Sequence, residues 1–340
     1  MKITRIISFG LGILIAATAF AQEKRMAVVE TSTCYMRIAP DYESALETQE
    51  LMGTVVEIVG ESGYWREIVS PQPYKAWTTE KTLVEMSAEQ IREYKQAPKY
   101  MFTGLYGHIF MEPSEDSQTI CDLVGGDVMR IALKGEKAVT KGKWAQVILP
   151  SGRTGWVYKT EVEALEERTD IRMGQGVENL ISQEKMEAII ASAHQLLGVP
   201  YFWGGMSAKG VDCSGLVRIS AIMNNVLLPR NASQQIHCGL PVEMSYDPEF
   251  EDVNYRIVFM TEFIEEMKAR VKNLKRGDLV FFGTPVTDEK PMRVTHVGIY
   301  LGNNHIIHSS HMVRINSLNP EDADYYENAH RLIAACRLFN

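Results

Sequence analysis

Two tryptophans twelve residues apart occur twice in the N-terminal half of this 340-residue chain, as Trp65 and Trp77 and again as Trp144 and Trp156. Ahead of each pair, Pro40, Ser44 and Gly53 recur at the same mutual offsets as Pro113, Ser117 and Gly126. Such a duplicated pattern means two copies of one small unit, each closing its own core. Short strand-like runs broken by turn residues fill both copies, so the spacing predicts two small all-β barrels of about 65–75 residues each. The bulky indoles are expected to fill the barrel interiors rather than bind a ligand.

The extreme N-terminus reads differently. Lys2 and Arg5 precede an apolar run from Ile6 to Ala17, and Ala19-Phe20-Ala21 follows as a small-x-small site. Residues 1–21 are therefore expected to be a cleaved export signal, leaving a periplasmic or secreted body without a transmembrane span. An uncleaved anchor is the alternative, although the run is short for a full crossing. The segment holds two positive charges and no negative ones, so without it the net charge of -8 becomes -10. An acidic body repels nucleic acid and suits a cationic or amine-bearing ligand. The five cysteines (Cys34, Cys121, Cys213, Cys238, Cys336) are widely spaced, odd in number and lack a C-x-x-C pair. That pattern argues against a disulfide framework or a zinc ribbon and leaves at least one free thiol, either a buried small hydrophobe or a nucleophile.

From about residue 177 the texture shifts to longer helices and then strands. Met186, Ile189, Ile190, Ala193 and Leu197 fall at three-to-four spacing before Gly198, which predicts an amphipathic helix over 182–197. After the turn-rich stretch 199–211, Asp212 is placed to cap a second helix with Leu216, Val217, Ile219, Ile222 and Met223 on its buried face. Strands over 279–282, 294–301, 305–310 and 332–338 complete an α+β domain with an antiparallel sheet. Cys213 then occupies the first helical turn, where unpaired N–H groups and the helix dipole favour thiolate. Asp212 opposes that shift, so a cationic partner is needed, and His296 is the candidate.

The run Val294–Leu301 alternates, with Val297, Ile299 and Leu301 on the face opposite His296. A three-residue loop at Gly302-Asn303-Asn304 would set Gly298 across from His308 and place His308 diagonal to His296 on one face; a two-residue loop would turn it away. In that register Cys213 is the nucleophile, His296 the general base and His308 the group that orients the imidazole.

Four stretches carry a resemblance: Tyr201-Phe202-Trp203-Gly204-Gly205, Asp212-Cys213-Ser214-Gly215, Arg276-Gly277-Asp278-Leu279-Val280-Phe281-Phe282, and His296-Val297-Gly298-Ile299-Tyr300 with His308 beyond. Together they resemble the NlpC-type papain-like cell-wall cysteine peptidases across residues 180–340. The N-terminal repeats, with their Pro-x-x-x-Ser turns and late Gly155-Trp156-Val157, resemble bacterial SH3-like domains. The expected organisation is a signal over 1–21, a first SH3-like domain with helical linker over 22–98, a second over 99–166, and a papain-like α+β peptidase domain over 167–340. The resemblance implies hydrolysis of the γ-D-glutamyl-L-diamino-acid amide of murein stem peptides, in cell-wall turnover or recycling, with preference for a free N-terminal L-alanine. It also implies that Cys213, His296 and His308 are catalytic and that the Tyr201 hydroxyl lies near the oxyanion, beside the Cys213 N–H. Trp203, Asp212, Ser214 and Ser233 are implied in the substrate pocket, with Asp212 holding the alanyl amine, and Tyr94 as a wall supplied by the first SH3-like unit. No metal or organic cofactor is expected, and the protein is expected to act as a monomer.

One departure is length: 83 positions separate Cys213 from His296, and the excess falls at Ser245–Arg270, which could rim the cleft. Two other readings compete. His305, His308 and His311, spaced by three, could hold a metal with Cys238 or a carboxylate, but the surrounding residues favour a strand, where alternate positions diverge. A non-catalytic wall-binding protein, or amide formation through the same thioacyl chemistry, would keep the fold and change the outcome.

Overall fold

The computed structural model describes residues 24–71, 74–176, 180–244, 261–286 and 289–340. The expected leader over 1–21 and residues 245–260 of the insertion lie outside these. Among the described residues no helix is long and apolar enough to cross a membrane.

Each N-terminal copy folds as one antiparallel sheet. The first has seven strands, in the spatial order Leu46–Leu51, Thr33–Arg37, Lys75–Thr79, Trp65–Val69, Val55–Ser62, Arg25–Val29, Leu83–Met86. The second has eight and repeats the same succession from Thr119–Val124 through Tyr106–Phe110, Thr154–Tyr158, Trp144–Ile148, Val128–Ile131 and Lys99–Phe102 to Val162–Ala164. The duplicated residues fall at matching places. Trp65 and Trp144 each open a strand and are only 5% exposed, whereas Trp77 and Trp156 are half-buried. Gly53 and Gly126 each hold a turn with φ of 86° and 92°, a left-handed backbone that favours glycine. Both also pack too tightly for a side chain, since a Cβ on Gly53 would stand 2.4 Å from the Val128 carbonyl oxygen and one on Gly126 2.8 Å from Ile222. Between the sheets, helix α1 (Ala88–Gln96) starts in a capping box of Ser87 and Gln90.

The C-terminal part pairs helices with a six-stranded antiparallel sheet, ordered Leu240–Pro241, Leu332–Arg337, Leu279–Thr284, Arg293–Gly302, His305–Ser310, Met312–Ser317. Helix α2 (Gln183–Gln195) is capped by the Ser182 hydroxyl, and Gly198 beyond it has φ of 83°. Helix α3 (Cys213–Ile222) is capped by Asp212, and all ten of its residues are buried. Its apolar residues share one core with Val297, Ile299 and Ile307 from the sheet. On the sheet's other side Phe282, Tyr300 and Tyr326 pack with Phe263 and Met267 of helix α5 (Thr261–Val271), the described end of the insertion. Helix α4 is a single turn, Ala232–Gln235.

The expected hairpin loop is one residue too long. The turn is only Asn303-Asn304, both with positive φ (50° and 63°), the signature of a tight two-residue hairpin. Gly298 nevertheless pairs with His308, because the register shifts between Tyr300 and Gly302 and a bulge supplies the missing residue. The face of His308 is thus decided by the bulge, which alternation alone does not reveal.

The first sheet docks through its edge strand Leu46–Leu51, whose consecutive residues serve the C-terminal part. Thr48 accepts from Arg230 Nε at 2.7 Å, Gln49 Oε1 accepts from the Met206 N–H at 2.8 Å, and Glu50 pairs with Arg218 of α3 at 3.6 Å. Leu51 joins the core of α3. An edge strand offers unpaired groups, and here a partner surface covers them.

Close approach at the start of α3 yields a prediction. A Cβ on Gly215 would stand 2.1 Å from the Gly205 carbonyl oxygen. Alanine is favoured over glycine by about 1 kcal/mol inside a helix, yet Gly215→Ala should lower the melting temperature, because backbone must move; an unchanged or higher melting temperature would contradict this packing.

Candidate active site

A pocket of about 240 Å³ opens where α3, the loop after α2, α4 and the first sheet meet. Tyr201, Trp203, Asp212, Cys213, Ser214 and Ser233, six of the residues singled out in the sequence, line it together. Glu47 and Tyr74 enter from the first sheet's side, and Val294 and Thr295 from the strand that bears His296. Trp203 stands 66% exposed at its mouth, a position where an indole face is open to a ligand. Tyr94 is not part of it: it is 3% exposed, packed with Val28 and Ile91 under α1. Its place on an amphipathic helix buries it in a small cluster between α1 and the first sheet, on the side of the second sheet's Arg130 and away from the Cys213 pocket. Tyr74 is the tyrosine the first sheet brings to the pocket.

Cys213 is the first residue of α3 and its side chain is buried. All five cysteines are free, and this one faces the pocket. The backbone N–H groups of Ser214 and Val297 are directed at its sulfur, which sets the thiol against the strand residue that follows His296. Burial nevertheless pushes the thiol up to about 12, with the Asp212 charge adding to the rise, against the lowering by those N–H groups and Arg230. The ring of His296 is driven down to about 3, chiefly by burial and then by the neighbouring His308. Burial therefore favours the thiol and the neutral imidazole in the free site. It thus works against the thiolate expected from the sequence.

The two histidines form one end of a chain of hydrogen bonds whose direction is set from the far end. Asn316 Nδ2 donates to the Asp324 carbonyl at 2.7 Å, which can only accept, so Asn316 Oδ1 faces His308 Nε2 at 3.0 Å. An amide oxygen only accepts, so His308 carries its proton on Nε2 and offers Nδ1 as acceptor. His296 Nε2, 2.8 Å away, must then donate, leaving His296 Nδ1 with the lone pair. Burial holds His308 down to about 4, so this ring too is neutral. Tyr326, 4% exposed, packs edge-on against His308 with ring centroids 4.5 Å apart and lies 5.7 Å from the ring of His296. Phe282 braces both His296 and Tyr326.

Asp212 is engaged on every side. Oδ1 caps the Gly215 N–H at 2.7 Å and accepts from the Ser214 hydroxyl and Arg230 Nη1, while Oδ2 accepts from the Gly204 N–H at 3.0 Å and Arg230 Nη2 at 2.5 Å. Arg230 is 2% exposed and also donates to Ser214 and Thr48. The carboxylate thus belongs to a buried, bidentate ion pair, the arrangement that keeps a desolvated charge tolerable. Ser214 is the third member of this cluster, and Ser233 is exposed on α4. Arg230, Glu47, Tyr74, Asn316 and Tyr326 were not singled out by sequence motifs. For Arg230 a signal existed, a lone arginine beside Leu227-Leu228-Pro229, since a charge in an apolar run calls for a buried partner.

Among the described residues, the side chains that could share a metal ion are His305, Asp322 and Asp324. His308 is not among them, both its ring nitrogens being held by His296 and Asn316, so the set of His305, His308 and His311 does not assemble.

Comparison with known proteins agrees with this architecture. Residues 198–331 match the NlpC/P60 family. A γ-D-glutamyl-L-lysine dipeptidyl-peptidase of Bacillus cereus is 26% identical over 289 residues, covering 83% of this chain and 72% of the relative. Dipeptidyl-peptidase 6 of Lysinibacillus sphaericus is 22% identical over 318 residues, covering 91% and 97%. The crystal structure of an NlpC/P60 family protein from Bacillus cereus superposes with a TM-score of 0.67 at 20% identity, over 93% of this chain and all of that one, which shows a shared fold. Residues 198–331 of this chain form an NlpC/P60 domain, and the protein is a cysteine peptidase.

Proposed function

We propose that the protein is an exported endopeptidase that hydrolyses the amide between γ-D-glutamate and an L-diamino acid in murein stem peptides bearing a free N-terminal L-alanine. The observation that carries this reading is the directed chain from Asn316 through His308 to His296, which leaves the lone pair on Nδ1 of His296, next to Val297, whose N–H reaches the Cys213 sulfur. Two curated relatives that span most of this chain are named for dipeptidyl-peptidase activity, one of them on γ-D-glutamyl-L-lysine. The two N-terminal sheets are read as SH3-like modules, the first of which closes the site.

In the proposed reaction, the Cys213 sulfur attacks the amide carbon as its proton passes to His296 Nδ1. Oxyanion charge is met by the Cys213 backbone N–H and the Tyr201 hydroxyl. His296 then gives its proton to the departing amine, and the C–N bond breaks, leaving a thioester on Cys213. A water molecule, deprotonated by the same ring, releases the acid and restores the thiol. His308 and Asn316 hold the imidazole in the tautomer this requires.

The amine subsite is reassigned from the sequence expectation. Asp212 already meets Arg230 and three other donors, so a substrate ammonium would compete with a buried guanidinium. Glu47 lines the same pocket with Tyr74 donating to it at 2.5 Å, and among the described residues no cation lies within ion-pair distance of it. We assign the alanyl amine to Glu47, with Trp203 and Ser233 flanking the peptide.

Three outcomes test this. With L-Ala-γ-D-Glu-L-Lys as substrate and products identified by mass, Cys213→Ala should lose turnover by a factor on the order of 10⁴ or more, and His296→Ala comparably; near-normal turnover by either variant refutes the mechanism. Glu47→Gln should raise KM for the free-amine tripeptide about tenfold while leaving the slow cleavage of its N-acetylated counterpart unchanged, since one charge contact is lost. Protonating His296 stops the reaction, so kcat/KM falls as pH drops through that ring's pKa. Because burial depresses it, the acid limb should lie below the ordinary histidine value of about 6.5. Asn316→Asp puts a carboxylate on the chain, favours the charged rings and should move that limb to higher pH, whereas Asn316→Leu frees the tautomer and should lower kcat about tenfold or more. A limb that stays in place in Asn316→Asp would detach Asn316 from the base.

A further inference from the structure

Away from the Cys213 pocket, a larger cavity of about 440 Å³ lies where three parts of the chain meet: the first sheet, the second sheet and helix α3. Its walls are mainly apolar, with Leu51, Val128, Leu165 and Ile222 among them. Into it comes Arg168, from the connector that leads out of the second sheet. Nε and Nη2 of this side chain are buried and have no hydrogen-bond partner among the described residues. Two buried guanidinium nitrogens without a partner are costly and demand an explanation. Glu50, the acidic residue in the lining, does not supply one, because it pairs with Arg218 of α3, which lines the same cavity. Lys95 and Lys99 add two further positive charges, so the lining holds four cations against one anion in a chain whose net charge is -8.

We propose that this cavity binds an organic carboxylate with an apolar body. Nε and Nη2 form one edge of the guanidinium, two parallel N–H groups whose spacing matches the two oxygens of a carboxylate; both are closed off from the open space in this structure, so binding turns that edge toward it. Apolar walls then take the rest of the molecule, and the volume falls in the range of small-ligand sites, roughly 300–1,000 Å³. The ligand would touch Leu51 at the end of the strand that carries Glu47 and Thr48, and Ile222 at the end of the helix that begins with Cys213. Its binding would clamp the first sheet onto the peptidase domain. Burial lowers the pKa of Arg168, and a bound anion would relieve that cost.

Calorimetric titration of the full chain with 4-phenylbutyrate and, in parallel, with uncharged 4-phenylbutanamide tests the site without reference to peptidase activity. Saturable one-to-one binding of the carboxylate, at least tenfold tighter than the amide, is expected. Arg168→Met keeps the apolar stem and removes the charge; it should weaken carboxylate binding at least tenfold and leave the amide unchanged. Leu165→Trp keeps the guanidinium but fills the space, and should weaken both; melting curves establish that each variant is folded. If Arg168→Met does not fold, Leu165→Trp and the comparison of the two ligands in the unaltered chain still decide the matter. Equal affinity for the two ligands, carboxylate binding unaffected by either substitution, or no binding at millimolar concentration would each overturn the proposal.

Discussion

The ion pair between Asp212 and Arg230 is the contact on which the rest of the site depends. Asp212 caps the helix that presents Cys213, and its second oxygen holds the Gly204 N–H of the loop that carries Tyr201 and Trp203. Arg230 reaches from that carboxylate to Thr48 in the N-terminal sheet. One buried pair therefore locks helix, loop and neighbouring unit into a single geometry. Buried ion pairs contribute little net stability compared with apolar packing, but leaving one partner alone costs several kcal/mol. Here the pair acts chiefly to specify an arrangement.

Desolvation sets the chemistry of the resting site. Both the thiol and the two imidazoles are buried enough that their neutral forms prevail. In the proposed reaction the lone pair must already be on the right nitrogen when the substrate carbonyl arrives. Asn316 supplies that condition from two residues away, because an amide fixed by the Asp324 carbonyl has one orientation only. Tyr326 packs edge-on against His308, and Phe282 meets the ring of His296 at a tilt.

The N-terminal units are structural participants in the C-terminal site. Glu47 and Tyr74 line the Cys213 pocket, and the strand Leu46–Leu51 is buried from Thr48 to Leu51. At the same junction, Gly53 and Gly126 permit close approach of the two sheets and α3, and the space they leave is the cavity entered by Arg168. The Cys213 pocket and the junction cavity are therefore connected by one strand and one helix.

Much of this was legible in the order of residues alone. The duplicated Pro, Ser, Gly and Trp positions marked two equivalent sheets, the three-to-four spacing after Ser182 marked α2, and Asp212 followed by an apolar face marked α3 with Cys213 in its first turn. These are local signals, because a cap, a helical stripe or a turn glycine involves residues within a few positions of one another. The bulge at Leu301, the bidentate hold of Arg230 on Asp212, the arrival of Glu47 and Tyr74, the exclusion of Tyr94 and the orientation of Asn316 depend on contacts between residues distant in the chain. So do the neutral states of Cys213 and His296, since desolvation is a property of the assembled surroundings. The chain's own order determined which groups could do the chemistry; only three-dimensional packing decided how deeply they are buried, the direction of their hydrogen bonds and which neighbours line the pocket with them.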